Sequence, residues 1–398
     1  MTSAQIILLL LIGYLIYTLD RKESYIPAPV VLVLTGIILS FIPYFDSIQV
    51  TSDLIYYILL PGLLFTSAYR FSSKLFRENA GMITFLATFG IIATVAILGS
   101  VIYVMSGAFV SISFAGALVV AAILTPTDPI SVVTILKKSG GSPKIANVVE
   151  GESLINDGTS IVIFTFLSGM LLGDQSLTVM NFLRDFLVVS IGGVLIGIIF
   201  GWLMSKAVHI THNREYQVML SIILAYGVFN LAEKIGVSGV LATVFAGIML
   251  SFEYGRTIQE NHLKEKLNGF WSIAELTILA LLFLLIGIQS SEYLAFNAWG
   301  FAFAIFAVSL IIRFAIISGT LQLFPSWRHH VTWREPIVLT WSGLKGSMSV
   351  FLILELQSRS AGEYNLILSL AFAAVLISLI VQSLGITPLT KALASKED

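Results

Sequence analysis

The run Glu150-Gly151-Glu152-Ser153-Leu154-Ile155-Asn156-Asp157 places acids and amides inside a segment that is otherwise apolar enough to span a membrane. Carboxylates at bilayer depth are expensive, and they persist mainly where they bind ions or relay protons. A further acid, Asp128, sits in Thr125-Pro126-Thr127-Asp128-Pro129, where two prolines interrupt another apolar segment. On a helix Ser153 and Asp157 share one face, and Glu152 and Asn156 share an adjacent one. Hard monovalent cations take oxygen ligands. Asp157, Ser153, Asp128 and a backbone carbonyl freed near Thr127 supply them, as unwound helix ends do in transporters. Burial favours the protonated form of a carboxylate and a bound cation favours the ionised form. One acid then carries either a proton or a metal cation, and that competition is the chemistry of exchange.

The elements that position these residues follow from composition. The 398 residues are 57% hydrophobic and only 11% charged, against about 25% charged in soluble domains. The sequence predicts an all-α polytopic membrane protein. A net charge of −1 argues against a nucleic-acid partner. With no cysteine, disulfides, thiolate metal sites and cysteine nucleophiles are excluded. The first residues lack the basic stretch of a signal peptide, so the first apolar run is read as a span.

At roughly 20 residues per crossing, thirteen helical spans are expected, near 5–19, 28–45, 53–69, 80–105, 109–136, 146–172, 180–206, 215–233, 237–254, 268–288, 294–321, 335–357 and 364–390. With the N-terminus outside, seventeen of the 22 lysines and arginines fall on the inner side and three (Arg184, Lys234, Arg359) on the outer. This asymmetry sets the orientation and puts the C-terminus in the cytoplasm. Two spans are interrupted, the fifth by Pro126 and Pro129 and the twelfth by Ser342-Gly343-Leu344-Lys345-Gly346-Ser347. Proline removes a backbone donor and glycine weakens a helix. Paired breaks in corresponding positions point to a site between inverted repeats, here spans four to six and eleven to thirteen. No loop is long enough for a soluble domain.

Asp157 should lie roughly 16 Å along span six from its inner end, near the bilayer centre. Arg313 in span eleven and Glu152 share a depth, so a pair is expected, because a buried guanidinium stays charged and needs a carboxylate. That pair reads as structural, and Lys345 reads as neutralising half-helix C-termini at the second break. For Asp128 neutralisation of helix N-termini competes with ion binding. Glu275 and Asn230 read as packing or span-end residues. Gly193, Gly197 and Gly201 permit close helix approach, within the bundle or between subunits. All five histidines (His209, His212, His262, His329 and His330) fall in expected inner loops. They read as solvated side chains, with a pH sensor the sharper alternative.

The Thr-Pro-Thr-Asp-Pro run, Glu150 to Thr159 and Gly343-Leu344-Lys345-Gly346 together resemble the monovalent cation:proton antiporters of the NhaP/NHE type, over nearly the whole chain. The resemblance implies the NhaA/NhaP-like fold, with two broken helices crossing near the bilayer midplane. It implies Asp157 as ion and proton carrier, with Thr127, Asp128 and Ser153 binding the sodium ion or supporting its binding. Asn156 would mark the electroneutral branch, and Glu152 with Arg313 would be structural; Lys345 and Thr125 belong to the support. It further implies a homodimer whose core moves against a scaffold like an elevator. Residues 1–79 and 207–290 would be scaffold, 80–172 and 294–391 core, and 180–206 the link. Two departures stand out. Lys345 replaces the commoner arginine, and Thr66 follows Leu63-Leu64-Phe65 where many members carry an acid.

The sequence therefore predicts a one-for-one Na+/H+ antiporter in a prokaryotic cell membrane. Its partners are a second copy, lipid, cations and protons; no cofactor is expected. Potassium or lithium exchange is the nearest alternative. A cation channel is a rival of another class, disfavoured because no filter-like Gly-Tyr-Gly run occurs. An intramembrane hydrolase lacks its metal motif and its nucleophile–base pair, and the chain is not expected to be an enzyme.

Overall fold

In a computed structural model of the chain the described residues are 1–20, 27–48, 50–128, 143–173, 178–210, 214–254, 261–290, 293, 297–323, 334–360 and 364–394. Among them the secondary structure is helical throughout. The first helices are α1 (Ser3–Asp20), α2 (Ala28–Ser40), the short α3 (Pro43–Asp46) and α4 (Leu60–Arg70), which a π-helical turn at Leu54–Leu59 precedes. Next, α5 (Ser73–Phe85) continues through a π-helical turn at Leu86–Gly90 into α6 (Ile91–Phe109), and α7 (Phe114–Ile123) follows. The middle of the chain forms α8 (Pro143–Leu172), α9 (Val179–Ile210), α10 (Arg214–Ile235), α11 (Gly239–Tyr254) and α12 (Asn261–Ser290). The last third forms α13 (Trp299–Leu323), α14 (Arg334–Trp341), α15 (Ser347–Ser360) and α16 (Asn365–Ala394).

Among the described residues, seven helices are long and apolar enough to cross a membrane, and five shorter apolar helices accompany them. The chain is a multi-pass membrane protein. The expected start at residue 80 is too late, because helix begins at Ser73. Ser72 caps that end, its hydroxyl accepting from the Leu75 amide. The expected division between 79 and 80 thus falls inside continuous helix.

The two interruptions have local causes. Pro126 cannot donate to the helix and biases Thr125 away from helical geometry, so α7 stops at Ile123. The Thr125 hydroxyl turns back to the Ala121 carbonyl at 2.7 Å, satisfying one of the acceptors left at the helix end. The second interruption spans residues 342–346, between α14 and α15. The two gaps meet, since the Asp128 amide donates to the Leu344 carbonyl at 2.8 Å. Both glycines of the second gap are required by close approach. A Cβ on Gly343 would fall 2.5 Å from Arg313 Nε, and one on Gly346 would fall 2.7 Å from Asp128 Cβ.

Helix α8 runs through the interior: 78% of its most apolar stretch is buried, against 28% for α9. The α9 glycines lie against α11, where Gly193, Gly197 and Gly201 face the carbonyls of Ser238, Ala242 and Ala246. The small-residue stripe therefore serves packing within the bundle. Gly36 and Gly287 make a similar close crossing between α2 and α12.

Candidate functional site

Helix α8 carries the acidic motif past the first gap and binds it closely. The Ser153 hydroxyl donates to the Thr127 carbonyl and lies 3.0 Å from the Thr127 hydroxyl. Asn156 Nδ2 donates to Thr127 Oγ1 at 2.8 Å and to Glu152 Oε1 at 3.4 Å. Thr127, Ser153 and Asn156 are all buried. An unwound stretch in an apolar interior must find partners for its backbone groups, and α8 supplies them through Ser153.

One turn further along α8, Asp157 behaves differently. It is 8% exposed, and its Oδ1 is buried with no hydrogen-bond partner among the described residues. Asp128, equally buried, faces the same space. The two carboxylates and the Ser153 hydroxyl line a cavity of about 30 Å³, closed on the α4 side by leucines and Ser67. That is enough space for a water molecule or a small cation. Ser347, the first residue of α15, also reaches it.

On the other face of α8 the charges are paired. Arg313 Nη1 and Nη2 donate to Glu152 Oε1 and Oε2 at 3.1 and 2.6 Å, a fork-to-fork contact. Gly343 lets the guanidinium lie flat against the second gap. Lys345 is buried beside this pair, in a small cavity that Thr125 also lines. Its backbone amide donates to Ser378 Oγ at 3.2 Å, and the Ser378 hydroxyl donates to Gln382 Oε1. Gln382 Nε2 in turn donates to the Trp341 carbonyl at 2.9 Å, and Trp341 Nε1 donates to the Gln382 carbonyl at 3.0 Å. Helix α16 thus clamps both sides of the gap. Ser378 and Gln382 carry no sequence signal for this role, since nothing in the spacing of polar residues within α16 names the second gap as their partner.

The site residues read from the sequence thus fall into two adjoining groups. Asp157, Asp128 and Ser153 meet at the small cavity, and Thr127 is hydrogen-bonded to Ser153 beside it. Glu152, Arg313, Lys345 and Thr125 gather behind it, with Asn156 bridging the two. Pro129 and the side chains of the five histidines lie outside the described residues. Glu275 is a packing residue of a definite kind, because Arg70 of α4 donates to it and, at 2.6 Å, to Ser272. Asn230 donates to the Tyr226 carbonyl of its own helix. An acid that the sequence reading passed over, Glu233, accepts from Tyr56 Oη at 2.8 Å and from the Gly239 amide at 2.7 Å. Tyr56 is stacked on Phe351 of α15 with ring centroids 4.4 Å apart.

Comparison with known proteins agrees with this geometry. The family described as sodium/hydrogen exchanger, transmembrane, matches residues 6–392. The Na+/H+ antiporter NhaG of Bacillus atrophaeus is 34% identical over 391 residues, covering 94% of this chain and 72% of that protein. The Na+/H+ antiporter NhaH of Halobacillus aidingensis is 31% identical, covering 98% and 97%. The structure of the sodium proton antiporter MjNhaP1 from Methanocaldococcus jannaschii superposes with a TM-score of 0.77 over 99% of this chain and 97% of that one, at 18% identity. That likeness establishes a shared fold, while the match along nearly the whole sequence establishes kinship. The chain belongs to the sodium/hydrogen exchanger family, a family of membrane transporters rather than enzymes.

Proposed function

We propose that this protein is an electroneutral antiporter that exchanges one sodium ion for one proton, with Asp157 as the carrier of both. The observation that carries the reading is the buried, unpartnered Asp157 oxygen in a cavity of about 30 Å³ shared with Asp128 and Ser153. A carboxylate left without a donor inside a membrane bundle is costly. Either passenger removes that cost, a proton by neutralising the acid and a cation by coordinating it. The two exclude each other through charge, since protonation removes the negative charge that a cation needs and a bound cation disfavours protonation.

Asp128, Ser153 and the Thr127 hydroxyl complete the oxygen set. The Ser153 proton is directed at the Thr127 carbonyl, which leaves serine lone pairs for a cation. Glu152 stands apart from the ion site, because both its oxygens are held by Arg313. With Asn156 where a second acid would stand, one charge moves each way. Turnover should then be insensitive to membrane potential, and a dependence on imposed voltage would refute the one-for-one exchange. The preference for sodium over potassium or lithium is carried over from the relatives named Na+/H+ antiporters.

The remaining parts of the reading follow from the family plan. Thirteen crossings run from an outer N-terminus to an inner C-terminus in a prokaryotic cell membrane, and the working unit is a homodimer. A core containing both gaps moves past a scaffold containing α4 and α10 to α12, and α9 links the two. Exchange assays in proteoliposomes test the carrier. Asp157→Asn is expected to fold and to lose exchange entirely, and normal exchange by that variant would dismiss the site. A single-channel current from the wild-type protein would favour the channel reading instead.

A further inference from the structure

We infer that the hydroxyl of Ser67 is a cation ligand supplied by the scaffold side, and that it sets the size preference among monovalent cations. The inference rests on the proposed role of Asp157 and goes beyond it. Leu60, Leu63, Leu64 and Ser67 all line the Asp157 cavity. Their spacing is that of one helical stripe, so Ser67 stands where a continuous apolar stripe would carry a fourth hydrophobic residue. It is the polar group that this stripe brings to the cavity. Its neighbour Thr66 cannot substitute, because the Thr66 hydroxyl is fully buried elsewhere and donates to the Gly62 carbonyl at 2.7 Å.

The rest of the lining is Asp157, Asp128, Ser153, Leu154 and Ser347, carried by α8, the adjoining gap and the start of α15. A cation held there alone would be coordinated from one side. Hard cations gain from additional neutral oxygens at short range, and a hydroxyl across a one-ion cavity provides one. The wall that carries it is otherwise leucine, which offers no alternative ligand. A hydroxyl across a narrow cavity from a carboxylate favours an ion small enough to touch both, such as sodium or lithium, over potassium. Because Ser67 belongs to a different body from Asp157 in the proposed motion, this ligand is present only while the two are apposed as here. Departure of the core would shed one ligand and ease release.

The test compares Ser67→Ala and Thr66→Val with the wild-type protein in proteoliposomes, with sodium, lithium and potassium in turn. Loss of one neutral ligand should raise the apparent KM for sodium about fivefold. It should raise KM more than it lowers kcat, and should narrow the discrimination against potassium. Thr66→Val removes a hydroxyl that serves its own helix and should leave the cation preference unchanged. Sodium-dependent stabilisation in a detergent melt reads binding without transport, and Ser67→Ala should weaken it. Unaltered KM values and an unaltered sodium-dependent melt in Ser67→Ala would overturn the inference, as would an equal change in selectivity from Thr66→Val. Asp157→Asn in the same assay separates the two layers. If it still transports, the carrier reading fails; if it does not and Ser67→Ala is silent, only the inference about Ser67 fails.

Discussion

Glu152 and Asp157 stand five residues apart on one buried helix, and their surroundings differ completely. Glu152 has both oxygens gripped by Arg313 and a further contact from Asn156. Asp157 keeps one oxygen without a donor, beside an ion-sized cavity. The same residue class at similar depth thus yields two opposite devices. A satisfied pair locks α8 to α13, and an unsatisfied acid faces a cavity. The difference comes from the neighbours: the first has a guanidinium pressed close by Gly343, the second a stripe of leucines and a second carboxylate.

Replacing Arg313 by alanine breaks the comparison most severely, because it would leave Glu152 buried with only the long Asn156 contact. Removing one member of a buried pair costs about 3 to 5 kcal/mol. Thermal melts in detergent should show this as a large loss of stability and of folded yield. The double change Glu152→Gln with Arg313→Met should recover much of it, since no uncompensated charge remains. If Arg313→Ala melted like the wild-type protein, the pair would have no structural role.

A gentler change sharpens the contrast from the other side. Gly346→Ala places a methyl group 2.7 Å from Asp128 Cβ and leaves the Glu152 pair untouched. Displacing Asp128 by a fraction of an ångström should slow exchange about tenfold, with little change in melting. Equal damage to stability and transport would mean that the two regions are not separable.

Much of this arrangement is legible in the chain itself, for identifiable reasons. Proline at 126 and glycines at 343 and 346 act on the backbone directly, so both gaps can be read without tertiary information. The Glu152–Arg313 contact is readable from depth alone, because an arginine inside a bundle has few ways to be satisfied. Other features are not local. The start of α5 is hard to read because its first two turns mix Lys74, Arg77 and Glu78 with Leu75 and Phe76, and its signal is the cap at Ser72 rather than hydrophobicity. Ser67 resembles any small residue in an apolar run until the α4 stripe is laid against Asp157. The clamp of Ser378, Gln382 and Trp341 depends on α16 lying beside the second gap, which no spacing within α16 encodes. Glu233 was readable in principle, as an acid near the end of an apolar helix, but its partners Tyr56 and Gly239 come from two other segments.

Proton release on cation binding tests the competition at Asp157 most directly. Sodium is added to the detergent-solubilised protein in weakly buffered solution containing a pH indicator, at a pH where the ion-free site is protonated. The account predicts that each sodium bound expels one proton, and that Asp157→Asn expels none. Saturable sodium binding by the wild-type protein with no accompanying acidification would contradict it.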